Sequence, residues 1–232
     1  MPSFKQRSYQ KELLDGNQVP FVDIQLNMQE LKSINKWLGG HKVTIAGIGK
    51  ILNCKKGLQE LHVVEIGSGG GDNLVAIKTW ADKKNIKLQL TGIDINADCI
   101  AYARKGVSND IQFIHSDYRN YVFNKKPDII FSSLFCHHFT NEELVVMLQW
   151  MHQNSSIGFF INDLHRHPMA YYSIKILTAI FSNSYLVKND APLSVLRGFK
   201  KKDWKLVFIK AGISNFECEW RWAFRWLLTS CT

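Results

Sequence analysis

The chain of 232 residues has few of the features that mark secreted or membrane-spanning proteins. It contains five cysteines and no Cys-x-x-Cys pair, which argues against both a disulfide framework and a zinc site. Residues 1–7 lack the apolar core of a signal peptide, and no uncharged apolar run reaches the length of a membrane-spanning helix. These absences predict reduced thiols, a cytoplasmic protein and no transmembrane segment.

Charge of one sign predominates, but it is not concentrated in one place. The formal net charge is +9, and the densest basic cluster is only Lys200–Lys202. Scattered lysines and arginines are typical of solvated helix faces, so the charge favours a nucleic-acid partner only weakly. Apolar residues make up 46% of the chain and charged residues 21%, which is ordinary for one globular domain with a sizeable core.

Five short apolar segments alternate with helical patterns through the middle of the chain. They cover residues 61–66, 88–94, 111–115, 128–133 and 157–162. Strands that alternate with helices at this spacing are typical of βα units in a parallel, doubly wound sheet. The sequence therefore predicts an α/β fold with a Rossmann-like sheet.

Helical patterns at 22–38 and 42–54 precede the first strand and predict an N-terminal cap. The polar residues 1–20 before them predict an extended or loosely held arm. The two helical segments precede the first strand, so we expect them to cap one edge of the core.

The pattern changes after the fifth strand. Residues 168–181 predict a helix that is apolar nearly all round, which favours a place in the core. A lid over the active site, formed by a helical insertion after the fifth strand at 169–187, is left open. A loose stretch is expected over 182–199, followed by a helix over 201–211 and a strand-like hairpin over 216–228.

A glycine-dense turn follows the first strand, in the sequence Glu65-Ile66-Gly67-Ser68-Gly69-Gly70-Gly71. No Gly-Lys-Ser/Thr follows it, which excludes a P-loop, and Asp72 stands where a dinucleotide fingerprint requires glycine. Glu65 at the strand end disfavours a pyrophosphate, but a carboxylate near a sulfonium or ammonium group gains Coulomb energy. The turn therefore favours a cationic ligand.

Two further acids end the next strands. Asp94 can accept hydrogen bonds from both hydroxyls of a ribose. Asp117 can accept from the amine of an adenine, with Ile95 and Tyr118 on either side of the ring. Three acids without a cation at the strand ends favour S-adenosylmethionine (SAM), which carries an ammonium and a sulfonium, over a dinucleotide.

Together, Glu65–Gly71, Gly92–Asp94 and Ser116–Asp117 resemble the motifs of the class I SAM-dependent methyltransferases, over about residues 60–165. The resemblance implies SAM as cofactor and a seven-stranded, mostly parallel sheet whose last strand is antiparallel. It also implies that Ser132–Phe139 lies beneath the transferring methyl group. The predicted cofactor-binding residues are Glu65, Gly67, Ser68, Gly69, Gly71, Asp94, Ile95, Asp117, Tyr118 and Ser133.

Four shorter segments resemble bacterial methyltransferases of polyketide and pigment pathways, namely 37–41, 135–139, 162–168 and 192–197. This narrower resemblance implies natural-product biosynthesis and a small phenolic or polyketide-like acceptor, aromatic or lipophilic, that is methylated on oxygen. The predicted division of the single domain is a helical cap 1–58, a SAM-binding core 59–165, a lid or acceptor region 166–200, and a C-terminal helix and hairpin 201–232.

Two histidine-rich stretches follow the fourth and fifth strands, where ligands of open α/β sheets bind. A histidine near pKa 6.5 can remove the proton of a phenol. We predict His138 or His165 as general base and His137 as a further catalytic candidate, with capping or packing roles left open. His165 and His167 beside Asp163 are a weak metal signal, so no metal is predicted.

Two other functions remain as alternatives. An RNA or protein methyltransferase is mildly favoured by the positive charge, although no Asn-Pro-Pro-Tyr-like motif follows the fourth strand. A SAM-fold scaffold without catalysis would have no need of the full set of acids and glycines.

Overall fold

The computed structural model describes residues 2–16, 19–55, 60–106 and 110–232. The strands are β1 Glu60–Ile66, β2 Lys87–Asp94, β3 Ile111–His115, β4 Ile129–Ser133, β5 Gly158–Leu164, β6 Glu217–Arg221 and β7 Arg225–Cys231. The helices are α1 Phe21–Trp37, α2 Gly40–Leu52, α3 Asp72–Asp82, α4 Ala97–Gly106, α5 Asn141–Asn154, α6 Pro168–Phe181, α7 Tyr185–Arg197 and α8 Lys201–Lys210.

The seven strands form one sheet in the order β3-β2-β1-β4-β5-β7-β6. Strands β1 to β5 are parallel, and β7 runs antiparallel to both of its neighbours. The predicted fold class is confirmed. The strand order reverses direction at β1, between β2 and β4, and ligands of such sheets bind beside this point at the carboxyl ends of the strands.

Both faces of the sheet are buried. Consecutive residues of β1 show this, because Val63 packs with α2 and α3 residues such as Ile48 and Ile77, whereas Val64 packs with α5 residues such as Leu148. Successive side chains of a strand point to opposite faces, so an apolar run without alternation is what a doubly covered sheet requires. With both faces covered, the carboxyl ends of the strands remain for a ligand.

The loose stretch predicted over 182–199 is wrong, because most of it forms α7. Ser184 caps this helix, its Oγ accepting from the Val187 amide at 3.3 Å. Pro192 lies inside the helix and gives the sequence its turn-like character. Buried apolar residues, among them Leu186 and Leu193, hold the helix against the rest of the protein, so packing outweighs the local signal.

The helix predicted over 168–181 is present as α6, but its expected burial in the core is wrong. Ile176, Ile180 and Phe181 are 59%, 66% and 70% exposed, and Ala170 and Thr178 are the buried residues of the helix. An all-round apolar pattern does not distinguish a buried helix from one whose apolar face is left open.

The N-terminal arm, residues 2–16, is extended for most of its length, but it is not loosely held. The Ser8 amide donates to the Leu196 carbonyl at 3.0 Å. The amides of Leu13 and Leu14 donate to the Asp190 carboxylate at 2.8 and 3.0 Å. These bonds tie the arm to α7.

Cys54 and Cys231 form a disulfide that joins the segment after α2 to the end of β7, with a Cα–Cα distance of 6.4 Å. The prediction of reduced thiols is therefore wrong for this pair. The two residues are 177 positions apart, so cysteine spacing along the chain could not reveal the contact. Among the described residues, no helix is long and apolar enough to cross a membrane.

Candidate cofactor and acceptor site

The glycine turn connects β1 to α3 with backbone conformations that side chains disfavour. Gly67 and Gly71 have φ angles of +67° and +76°. A Cβ atom at Gly67 would lie 2.2 Å from the Phe135 ring, and one at Gly71 would lie 2.5 Å from the Phe113 ring. Glycine is required at both positions, and the turn presents bare backbone at the end of β1.

Glu65 lies buried just before this turn. Its Oε1 accepts from the Asn73 side-chain amide at 2.9 Å, but its Oε2 has no hydrogen-bond partner among the described residues. Burial raises the pKa of Glu65 well above its usual value, and the nearby charges of Asp72 and Asp94 act in the same direction. Burial therefore favours the protonated form of Glu65, and a cationic ligand would supply the missing partner of its carboxylate.

Asp94 lies at the end of β2, beside the same glycine turn. Its carboxylate accepts from the amides of Gly69 and Asn96, both at 2.8 Å, which links the turn to the end of the neighbouring strand. Ile95 follows it and is 65% exposed. The structure therefore places the predicted ribose and adenine residues Asp94 and Ile95 at the open rim beside the glycine turn.

The third acid differs from the expectation. Asp117 is paired with Arg119, whose Nε donates to both carboxylate oxygens at 3.0 Å, so this strand end does carry a cation. Tyr118 is 7% exposed and packs edge-on against Trp150, with ring centroids 5.0 Å apart. Its ring is therefore part of the core and does not face Ile95 across an open adenine pocket.

The remaining predicted cofactor residues, Ser68 and Ser133, are buried beside the turn and at the end of β4. The Ser133 Oγ accepts from the Asn162 side-chain amide at 3.2 Å. The Ser68 Oγ has no partner within the described part of the chain. Like Glu65, Ser68 offers an unused polar atom at the end of β1.

His137 is fully buried in the short turn after β4. Its Nδ1 lies 2.8 Å from Asp163 Oδ1, and its Nε2 lies 3.5 Å from Glu12 Oε1. Burial lowers the pKa of His137, but the two carboxylates outweigh burial and raise it to about 9. In the ligand-free protein His137 is a buried cation at neutral pH, which makes it a poor proton acceptor.

His138 lies next to it and is partly exposed. Its Nδ1 is 3.1 Å from Asp15 Oδ1, and its Nε2 is 3.8 Å from Glu12 Oε2. A carboxylate on one ring nitrogen orients a histidine so that the other nitrogen can accept a proton. Leu134 precedes this turn with a φ of +53°, a strained conformation that is frequent at functional sites.

Phe135 connects the histidines to the glycine turn. Its ring covers Gly67, and its amide donates to Asp163 Oδ2 at 3.2 Å. The glycine turn and His137–His138 therefore lie on either side of Phe135, at the carboxyl ends of β1, β4 and β5. We call this region the crevice.

The N-terminal arm lies across this crevice, which the sequence did not indicate. Arg7 donates to the carbonyls of His137 at 3.3 Å and Phe139 at 2.9 Å. Further along, Leu14 packs with Met28, which lies beside Gly69. The sequence did not single out Glu12 or Asp15, and it associated Asp163 with His165 and His167. All three stand next to His137 or His138 only because of the tertiary fold.

A cleft of about 590 Å³ opens where the arm meets α7. Its walls combine three charged side chains of the arm with apolar ones, and the lining residues are Lys11, Glu12, Leu13, Asp15, Gly16, Val19, Tyr185 and Leu186. Glu12 and Asp15 are also the partners of His137 and His138, so the cleft reaches the histidine side of the crevice.

His165 lies in a separate cleft of about 440 Å³, together with His167, Arg166 and Lys200. The two clefts share no lining residue. Burial, followed by the charges of His167, Lys200 and Arg166, lowers the pKa of His165 to about 4. The structure does not bring the two histidine pairs together, and His165 is the weaker base.

Comparison with known proteins agrees with this geometry. Residues 63–158 match the family model described as a methyltransferase domain. A segment of 89 residues is 36% identical to the uncharacterised protein YjhP of Escherichia coli K12. The match covers 36% of this chain and 33% of that protein, so the chain spans about a third of the length of its curated relative.

Solved structures with the same fold include two methyltransferases. The plantazolicin methyltransferase BpumL in complex with SAH has a TM-score of 0.62 and 17% identity, over 86% of this chain and 79% of that one. Human N-acetylserotonin methyltransferase in complex with SAM has a TM-score of 0.60 and 14% identity, over 92% of this chain and 56% of that one.

Residues 63–158 therefore match a methyltransferase-domain family, and the chain shares the fold of these SAM-dependent methyltransferases. The predicted resemblance agrees with both the family match and the strand order.

Proposed function

We propose that this chain is a SAM-dependent methyltransferase that acts on a small acceptor. The observation that carries the proposal is Glu65, a buried acid with one unpartnered oxygen at the end of β1, directly before a bare glycine turn. A buried, unpartnered acid costs free energy in the ligand-free protein, and a cationic ligand accounts for it. The BpumL and human structures with the same fold contain SAH and SAM.

In this proposal the backbone of Gly67–Gly71 lies along the amino-acid part of SAM, and Glu65 and Ser68 face its ammonium group. Asp94 accepts from the ribose hydroxyls with the lone pairs that Gly69 and Asn96 leave free. Ile95 covers one face of the adenine. Asp117 can bind the adenine amine only if the amine fits beside Arg119 or displaces it.

Methyl transfer is an in-line displacement. The acceptor oxygen forms a bond to the methyl carbon as the carbon–sulfur bond breaks, and the acceptor proton passes to a base. We assign the base to His138, because Asp15 orients it and its Nε2 lies 3.8 Å from Glu12, which lines the cleft. His137, a buried cation, positions the turn, and His165 lies in a different cleft with a lowered pKa.

The 590 Å³ cleft supports a small acceptor, because small-molecule pockets have volumes of about 300–1,000 Å³. Leu13, Val19 and Tyr185 in its wall favour an aromatic or lipophilic compound, such as a phenol or a polyketide-like acid methylated on oxygen. Tyr185 and Leu186 come from the proposed acceptor region 166–200, so that region contributes to the cleft even though α6 is exposed.

The proposal is tested in two steps. Calorimetric titration with SAM should give one saturable site per chain. Incubation with SAM and a panel of phenols, polyketide-like acids and RNA, read by release of S-adenosylhomocysteine, should show turnover on the small molecules. Turnover on RNA that falls steeply with salt would instead favour an RNA methyltransferase. SAM binding without turnover on any member would favour a scaffold.

A further inference from the structure

The turn after β4 and the N-terminal arm bring together two histidines and a carboxylate. We propose that the metal cluster, defined as Glu12, His137 and His138, binds one divalent transition-metal ion, for which Zn²⁺ is the probe. The ligands are the Glu12 carboxylate and the Nε2 atoms of His137 and His138. The site stands independently of the proposed methyl transfer, because metal binding alone tests it.

The ligand atoms are already close to the required separation. One ligand atom from each of the three residues lies within 4.8 Å of the others. His137 Nε2 is 3.5 Å from Glu12 Oε1, and His138 Nε2 is 3.8 Å from Glu12 Oε2. Tetrahedral ligands at bond lengths of about 2.0–2.1 Å are about 3.3 Å apart, so the two distances to Glu12 must shorten by up to about 0.5 Å and the widest separation in the cluster by up to about 1.5 Å.

The outer contacts of both histidines are those of metal ligands. His137 Nδ1 lies 2.8 Å from Asp163, and His138 Nδ1 lies 3.1 Å from Asp15. A carboxylate on Nδ1 fixes the ring orientation and raises the basicity of Nε2, and most metal-bound histidines have such a partner. The Nε2 atoms of both rings are therefore turned toward Glu12, and a metal ion would displace the proton that His137 carries there.

Carboxylates lie close to both imidazoles. Glu12 and Asp163 contact His137, and Asp15 contacts His138. Arg197 lies 3.9 Å from Glu12 and 3.4 Å from Asp15, so it balances part of this negative charge. Two histidines and one carboxylate suit Zn²⁺ or a comparable first-row ion and leave a coordination position open.

An ion has a route to this position. Glu12 and Asp15 line the 590 Å³ cleft, and His138 is partly exposed. The open coordination position would take an oxygen of the acceptor and lower the pKa of a bound hydroxyl. In the metal-loaded protein the ion would thus replace His138 Nε2 as the group that activates the acceptor, a consequence that rests on the proposed function.

The experiment is titration of chelator-treated, full-length protein with Zn²⁺ by calorimetry, and with Co²⁺ by visible absorption. We expect one equivalent per chain and the absorption bands of a four- or five-coordinate Co²⁺ site. The variants His138→Ala and Asp15→Asn should weaken the Zn²⁺ affinity about 10-fold or more. His167→Ala removes a histidine from the other pair and should leave the affinity unchanged.

The variants also separate a metal site from a structural ion-pair network. Circular dichroism and melting temperatures first show whether each variant folds. If His138→Ala does not fold, Asp15→Asn, which changes a partly exposed residue, still provides the test of Zn²⁺ affinity. Absence of saturable binding by the wild-type protein would overturn the proposal. Equal Zn²⁺ affinity in the wild type and in folded His138→Ala and Asp15→Asn would also overturn it. SAM is left out of these titrations, so failure here leaves the proposed function untouched.

Discussion

The two ends of the crevice are built in different ways. At the glycine turn, neighbouring residues of β1 and β2 form the site, and Glu65 and Ser68 each leave a buried polar atom without a partner in the described part of the chain. At the histidine end, Glu12, Asp15 and Asp163 come from the arm and β5, and each accepts a hydrogen bond. The first end is thus incomplete without a ligand, whereas the second is satisfied by the protein itself.

Because of this difference, we expect cofactor affinity and the rate of the chemical step to depend on different residues. Affinity for the cofactor should depend on residues at the glycine turn, and the chemical step should depend on the contact between the arm and His138. Substitutions at one end that change the property of the other would break the comparison.

The largest effect is expected at the histidine end. His138→Ala should lower kcat at saturating SAM about 100-fold or more, equivalent to about 3 kcal/mol, because the acceptor loses its base. His165→Ala should change kcat by less than about 5-fold. Steady-state rates from S-adenosylhomocysteine release provide the measurement.

Asp15→Asn sharpens this test, because it should lower kcat while the SAM dissociation constant stays within about 2-fold of wild type. Equal rates for the wild type and His138→Ala would exclude the histidine as base. A changed SAM affinity in Asp15→Asn would show that the two ends are coupled.

The next largest effect is expected on the stability of the protein, from a substitution in the glycine turn. Gly67→Ala should lower the free energy of unfolding by about 2–4 kcal/mol, since alanine disfavours a φ of +67° and its Cβ would overlap the Phe135 ring. The matched control is Gly49→Ala in α2, where a Cβ meets nothing within 4 Å. That variant should be neutral or more stable by up to about 1 kcal/mol. Urea unfolding of both variants decides between these outcomes, and equal losses would refute the close-approach argument.

A smaller effect is expected on SAM affinity from Asp94→Ala. Loss of a charge-assisted pair of hydrogen bonds should weaken SAM binding by about 1–3 kcal/mol, or about 5- to 150-fold. Asp98→Ala removes the same charge four residues further on, at an exposed position of α4, and should change the affinity by less than about 2-fold. Calorimetry measures both, and unchanged affinity in Asp94→Ala removes the ribose assignment.

The smallest effect is a gain of stability from Glu65→Gln. The folded pKa of Glu65 is raised, so the wild-type protein keeps a proton that the unfolded chain releases as pH rises above about 4.5. Its stability relative to Glu65→Gln should therefore fall as pH increases from about 4.5 through the folded pKa. At pH 7 the variant should be more stable by about 0.5–2 kcal/mol and should bind SAM more weakly.

Chemical denaturation at several pH values, with and without SAM, provides this measurement. A wild-type protein that stays as stable as Glu65→Gln at every pH would mean that Glu65 ionises freely and is not held ready for a cation.

Local patterns were sufficient for the sheet and for the position of the glycine turn. The strand segments were predictable from apolar runs, and the positions of Gly67 and Asp94 followed from where those runs end. Prediction failed where distant parts of the chain meet. Pro192 suggested a loop, although packing against the rest of the protein made a helix. Asp117 is a local exception, because the apolar pattern did not indicate its pairing with Arg119 two residues further on.

Neither the exposed face of α6 nor the docking of the arm could be predicted from the sequence, and the physical reason is the same. Hydrophobicity along a helix shows that a face is apolar, but the neighbours that cover it come from elsewhere in the chain. Ile180 is therefore exposed, although the hydrophobic pattern around it is typical of a core helix. Arg7 is buried, although its neighbours in the sequence are polar.

By itself, the sequence determined the α/β fold, the glycine turn and the acids beside it, because strand periodicity and turn chemistry act over a few residues. Only the tertiary structure decided which histidine has an orienting carboxylate and which lies among cations. It also decided that Glu12 and Asp15 close the crevice. The contacts of Glu12 and Asp15 with the two histidines join residues more than 120 positions apart, and their geometry depends on the packed fold.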